Sequence, residues 1–97
     1  MPVTQKVTLK IDKDGYVVAV PEDIPDRMIG DKMRFDSKDG KFKVEFDRWI
    51  FSGEKHPITD RRARTIKHRG PYSVDCSITT PRGQPAGYRG ARGNVRP

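Results

Sequence analysis

Apolar side chains in this chain recur at every second position. No window of ten or more residues places them at i, i+3, i+4 and i+7, the spacing an amphipathic helix requires. Residues 3–11, VTQKVTLKI, put Val3, Val7, Leu9 and Ile11 on one parity, which predicts a half-buried strand. Asp12, Lys13, Asp14 and Gly15 then form a strong hairpin signal. Residues 16–20, YVVAV, are apolar on both parities, so this strand is expected to be covered on both faces or to lie centrally. Met33 and Phe35 alternate with charges, Asp36 to Gly40 read as a turn, and Phe42, Val44 and Phe46 alternate again, so a second hairpin is expected over 33–46. Residues 65–68 read as a short strand. Residues 72–78, YSVDCSI, turn Tyr72, Val74, Cys76 and Ile78 to one side. Turn signals every 8–12 residues complete the pattern of an all-β sandwich or small barrel. No internal repeat occurs at a period of 20–50 residues.

Between the strands the chain is polar. Residues 21–30, PEDIPDRMIG, hold two prolines and three acids and read as a loop with one helical turn at most. The acids Glu22, Asp23, Asp26 and Asp31 read as a solvated loop run. Trp49, Ile50 and Phe51 form an apolar knot, expected to plug the end of the sandwich, because a core drawn from 97 residues needs large side chains. If exposed instead, these rings form a partner-binding patch. Residues 52–63 read as a loop. From Pro81 onward the composition changes: PRGQPAGYRGARGNVRP offers only Ala86, Tyr88, Ala91 and Val95 as apolar residues. Such a segment buries too little to offset its ordering entropy, so a domain over 1–80 and a disordered tail over 81–97 are expected.

Charge is divided just as unevenly. Residues 1–60 carry 11 Lys and Arg against 12 Asp and Glu, whereas residues 61–97 carry nine against Asp75 alone. Eight of those nine are arginine, the residue suited to bidentate contact with phosphate. Arg61, Arg62, Arg64, Lys67 and Arg69 form one group, and Arg82, Arg89, Arg92 and Arg96 are spread along the tail. This asymmetry predicts an anionic partner, either a nucleic acid or an acidic protein surface. Three Arg-Gly steps beside Tyr88 are similar to RGG-type segments, in which glycine frees arginine to reach phosphates and Tyr88 stacks on an unpaired base.

Gly70, Tyr72 and Cys76 stand in a Gly-x-Tyr-x-x-x-Cys pattern. The segment resembles the strand that delivers the cysteine ligand in cupredoxins, the plastocyanin and azurin family. Ile29-Gly30-Asp31 followed by the alternating 32–35 resembles that family's Gly-Asp and next strand, and the resemblance spans about residues 3–80. It implies a Greek-key β-sandwich. Its copper chemistry does not carry over. A type 1 site takes two histidines, a cysteine and a weak axial methionine. Lys41 and Phe42 occupy the place of the first histidine, Ser77, Ile78, Thr79 and Thr80 that of the second, and Arg82, Gly83 and Gln84 that of the methionine. Cys76 alone matches, and a lone cysteine on an apolar strand face reads as a small buried hydrophobe. His56 and His68, with sulfur from Met28 or Met33, are the other candidate ligands, at spacings that form no metal signature.

No phosphate-binding glycine loop, G-x-S-x-G or H-E-x-x-H is present, and no catalysis and no cofactor are expected. One cysteine excludes an internal disulfide. The longest apolar run, Tyr16 to Val20, is too short to span a bilayer as a helix, so a cytoplasmic chain without membrane contact is expected. The sequence therefore predicts a non-catalytic binding or structural module that docks an anionic partner through its basic C-terminal third. Two alternatives stay open: an atypical copper or electron-transfer protein using Cys76, and a nucleic-acid binder acting through its tail.

Overall fold

The computed structural model describes residues 2–79, 87, 88 and 90–97, with residues 87 and 88 as backbone. The expected all-β class holds, and no described residue is helical. Nine strands run in chain order: β1 (Thr4–Ile11), β2 (Tyr16–Val20), β3 (Arg27–Met28), β4 (Lys32–Ser37), β5 (Lys41–Phe46), β6 (Arg64–Thr65), β7 (Gly70–Thr79), β8 (Gly87–Tyr88) and β9 (Gly90–Arg96). They form two sheets, one ordered β6-β4-β1-β2-β8 and the other β3-β9-β7-β5. The inward parities of the two sheets meet in a sandwich core.

The β1–β2 hairpin forms as expected, with Ile11 opposite Val17 and Asp12 accepting the backbone N–H groups of Asp14 and Tyr16. The only buried polar residue on β1, Gln5, is satisfied at the core margin, where its Oε1 accepts Arg27 Nε at 2.9 Å and Nη2 at 2.6 Å. Strand β2 is fully buried on one face only: Val17 and Ala19 point inward, and Tyr16 and Val20 are exposed.

The second hairpin does not form. Strand β4 pairs in parallel with β1 and antiparallel with β6, whereas β5 pairs with β7 across the sandwich. Residues 38–40 are therefore an arch between sheets. Alternation marks inward side chains but is the same for a hairpin and for an arch. The arch needs Gly40, whose φ is +144° and whose position leaves no room for a Cβ against the Thr79 carbonyl.

The disordered tail expected over 81–97 is likewise corrected where the structure describes it. Strand β8 adds in parallel to β2, and β9 is an interior strand between β3 and β7. Ala91 and Val95 are buried, and Gly93 lies beneath the ring of its cross-strand partner Tyr72. The packing comes from β7, which supplies the bulk that this segment lacks. The domain boundary at residue 80 accordingly does not separate core from tail.

The core centres on Phe46, whose ring lies within 5.9 Å, centroid to centroid, of Phe35, Trp49, Phe51 and Tyr72. The plug reading holds fully for Ile50 and Phe51, which are buried, and in part for Trp49, which stays partly exposed.

Candidate anion-binding surface

The segment 61–69 is pinned by one residue. Ile66 is fully buried, bridges to Phe51 and donates its N–H to the Asp31 carbonyl at 2.8 Å. Lys67 and His68 both donate to the Ile50 carbonyl, at 2.7 and 3.1 Å. With the backbone fixed, the flanking cations project along the β6 edge of the larger sheet.

Those cations divide into two classes. Arg61 Nε lies 2.8 Å from Asp36 and its Nη2 donates to the Ser37 carbonyl. Arg64 forms a two-pronged pair with Asp60, at 3.0 and 3.1 Å, and this pair is the main cause holding the Asp60 carboxyl below its usual range. Arg92 is paired with Asp23 at 3.1 Å and Arg96 with Asp26 at 2.9 Å, which corrects their reading as free tail cations. Exposed pairs of this kind contribute little stability, but they fill the guanidinium donors. Arg62, Lys67 and Arg69, by contrast, have no carboxylate partner within 4.0 Å among the described residues. Arg82 and Arg89 lie outside the described residues, as does the side chain of Tyr88, so the reading of the tail as a base-stacking segment has no structural counterpart here.

Arg62 and Lys67 share a cleft of about 330 Å³ with Trp49, His56 and Arg64. Trp49 Nε1 donates to the Ser52 carbonyl at 3.1 Å, and the His56 ring packs against the indole at 4.9 Å. His56 Nδ1 lies 2.9 Å from the Pro57 carbonyl, an acceptor only, a contact that favours the tautomer with its proton on Nδ1. The cleft thus joins the rings of Trp49 and His56, over the buried Phe51, to two cations without a carboxylate partner among the described residues. The sequence points to the arginines and offers Trp49 as a partner patch only if exposed; it places His56 in a loop, as a candidate metal ligand, and does not join either ring to the cations. A wider groove of about 670 Å³ lies at the β4–β5 arch beside Lys38, Lys41 and Arg61. It offers no exposed ring, since Phe42 is buried, and Arg61 is already held by Asp36.

The candidate copper ligands are scattered. Cys76 is 1% exposed, on the inner side of β7 opposite Val44. His56 lies in the cleft, His68 is exposed with its N–H bonded to the Ile50 carbonyl, Met28 is exposed and Met33 is buried. Among the described residues, no three His, Cys, Asp or Glu side chains gather closely enough to hold a metal. These residues do not fit a type 1 copper ion.

Burial pushes the Cys76 thiol from 9.0 up to about 12, with a smaller contribution from Asp75. Burial likewise pushes Tyr72 from 10.0 up to about 12, its hydroxyl having no hydrogen-bond partner among the described residues. A raised acid favours the folded state while it stays neutral. This contribution is present below about pH 9 and is lost as pH rises toward 12. Alkaline melting should therefore show Tm falling from about pH 9, and Cys76→Ala should move the onset toward pH 10, where Tyr72 alone remains. A thiol-disulfide reagent at pH 8 should leave native Cys76 unmodified and label it on unfolding; native labelling at the unfolded rate would contradict the buried placement.

Among the described residues no helix is long and apolar enough to cross a membrane. No protein-family model matches the chain, and no curated protein sequence matches it.

Proposed function

We propose that this chain is a non-catalytic binding module, built on a cupredoxin-like Greek-key sandwich without a copper site, that docks an anionic partner at the cleft between Trp49 and Lys67. The observation that carries this reading is the pairing state of the cations. Arg61, Arg64, Arg92 and Arg96 are held by carboxylates, whereas Arg62 and Lys67 flank two aromatic rings with none. Cations left unpaired beside a partly enclosed cleft attract an anion from solution and bind it with little rearrangement. The cupredoxin-like reading is supported by two facing sheets and by Gly70, Tyr72 and Cys76 lying on one interior strand. A dry thiol without an imidazole neighbour supports a structural role for that cysteine.

The test compares two variants of equal net charge on a heparin matrix. Arg62→Ala with Lys67→Ala should elute at clearly lower salt than Lys13→Ala with Lys43→Ala, which removes two cations elsewhere. Equal elution of the two would show that only overall charge matters and would reject the cleft.

A further inference from the structure

The outer face of strands β1 and β4, beside the apolar Val18 and Val20 of β2, carries a charge imbalance that the fold itself leaves uncompensated. On β1 the outward residues are Thr4, Lys6, Thr8 and Lys10, and on β4 they are Lys32, Arg34 and Asp36. The parallel register sets Lys6 directly beside Arg34 and Thr4 beside Lys32. Like charges side by side on neighbouring strands are unfavourable. The one acid among these residues, Asp36, is already shared between Lys6 at 4.0 Å and Arg61 at 2.8 Å. Asp31, at the start of β4, is turned to the backbone N–H groups of Val3 and Met28, each at 3.0 Å. Lys10, Lys32 and Arg34 have no carboxylate partner among the described residues, and the Nε of Arg34 has no hydrogen-bond acceptor among them.

The opposite face of the sandwich shows the contrast. There Lys43 meets Glu45 at 3.1 Å, Arg92 meets Asp23 and Arg96 meets Asp26. The basic face is also continuous with the cleft, because Thr65 of β6 lines the cleft and pairs with Lys32. A cationic track therefore runs from Arg62 and Lys67 over β6 and β4 to Lys6 and Lys10 on β1. With strands about 4.8 Å apart and about 3.3 Å per residue along them, it extends roughly 20 Å.

We infer that this sheet face binds the sugar-phosphate backbone of a single-stranded nucleic acid, with one unstacked base entering the Trp49 cleft. The inference rests on the cleft reading above and names its partner. Lysine is depleted in protein–protein interfaces, whereas nucleic-acid interfaces are strongly positive, and a lysine and threonine surface fits the second. Stacking on an aromatic side chain needs a base free of its helix, which a single strand supplies and a duplex withholds.

Fluorescence anisotropy of the full chain with a labelled 12-nucleotide oligothymidylate, titrated over a range of salt, tests this. Each phosphate contact to a single strand contributes about 0.7 to the slope of log K against log salt, so Lys10→Gln with Lys32→Gln should flatten it by about 1.4 and weaken low-salt binding roughly five- to tenfold. Both side chains are exposed, so the variant should keep its melting temperature. Unchanged affinity and slope in a folded variant would overturn the sheet-face assignment. If Arg62→Ala with Lys67→Ala still weakens binding in that case, the cleft stands and only the sheet face fails; if neither variant weakens it, both fail. A matched oligoglutamate, a duplex of equal length or a phosphatidylserine vesicle that binds as tightly as oligothymidylate would overturn the single-stranded nucleic acid as partner.

Discussion

Deleting residues 90–97 is expected to abolish cooperative folding altogether. Strand β9 is interior to its sheet. It pairs with β7 from Gly70↔Val95 through Asp75↔Gly90, and on its other side with β3. It also anchors the acidic loop, since Ile24 donates to the Arg92 carbonyl at 2.8 Å and Arg92 donates to the Glu22 carbonyl at 3.2 Å. Its removal leaves one side of β7 without backbone partners, uncovers Tyr72 and Val74, and releases the segment that covers them. Val95, 1% exposed, is lost along with Ala91. Burial of a valine side chain alone is worth about 1.5–3 kcal/mol. Each newly unpaired buried backbone group costs about 1–3 kcal/mol more. A domain of this size is stable by only about 5–15 kcal/mol, so the sum exceeds what it can lose. The truncated chain should show no near-ultraviolet circular dichroism and no sigmoidal melt. A truncated chain that melts cooperatively within a few degrees of the full one would mean that β9 is dispensable.

The same strand shows what a sequence can and cannot convey. Ala91, Gly93 and Val95 share one parity, and Arg92, Asn94 and Arg96 the other, so period two is present in GARGNVR. It is hard to see because two of the three inward positions are nearly empty, and Tyr72 fills the space above Gly93 from the neighbouring strand. Elsewhere alternation marks most of the buried side chains: Val7 and Leu9, Phe42, Val44 and Phe46, and Tyr72, Val74, Cys76 and Ile78 lie inward, whereas Val3 is exposed and Gln5, on the same parity, is buried. It was silent on partners, which is why β4 and β5 look like a hairpin in sequence and lie in different sheets. Charge was legible only as a regional sum. The near balance over residues 1–60 concealed Lys6, Lys10, Lys32 and Arg34, which strand pairing separates from most of the acids that offset them in the count. The surplus over 61–97 overstated the free cations, because Asp23 and Asp26 reach Arg92 and Arg96 across 69 and 70 residues. The cleft needed both corrections at once.

Replacing Phe46 by alanine is expected to cost about 3–5 kcal/mol, the range for a fully buried aromatic truncated in a core that only partly collapses around the cavity. The upper end is the better expectation here. Phe46 is 2% exposed and meets Phe35, Phe51 and Trp49 edge-on at 5.3–5.9 Å and Tyr72 at a tilt of 34°. These geometries add to simple burial. The side chain also reaches from one sheet to the other, because β5 belongs to the sheet of β7 and Phe35 to that of β1. Few neighbours can move to fill the space without separating the sheets. Urea denaturation should show the midpoint falling by at least about a fifth at unchanged slope, and Phe46→Leu, which keeps most of the volume, should recover much of the loss. Binding should follow stability in this variant, since Trp49 is held in the cleft by its contacts with Phe46 and Phe51. Arg62→Ala with Lys67→Ala should behave in the opposite way, weakening polyanion binding at unchanged midpoint. A Phe46→Ala protein within about 1 kcal/mol of the parent would place the centre of the core elsewhere and leave the cleft without the rigid floor that its chemistry requires.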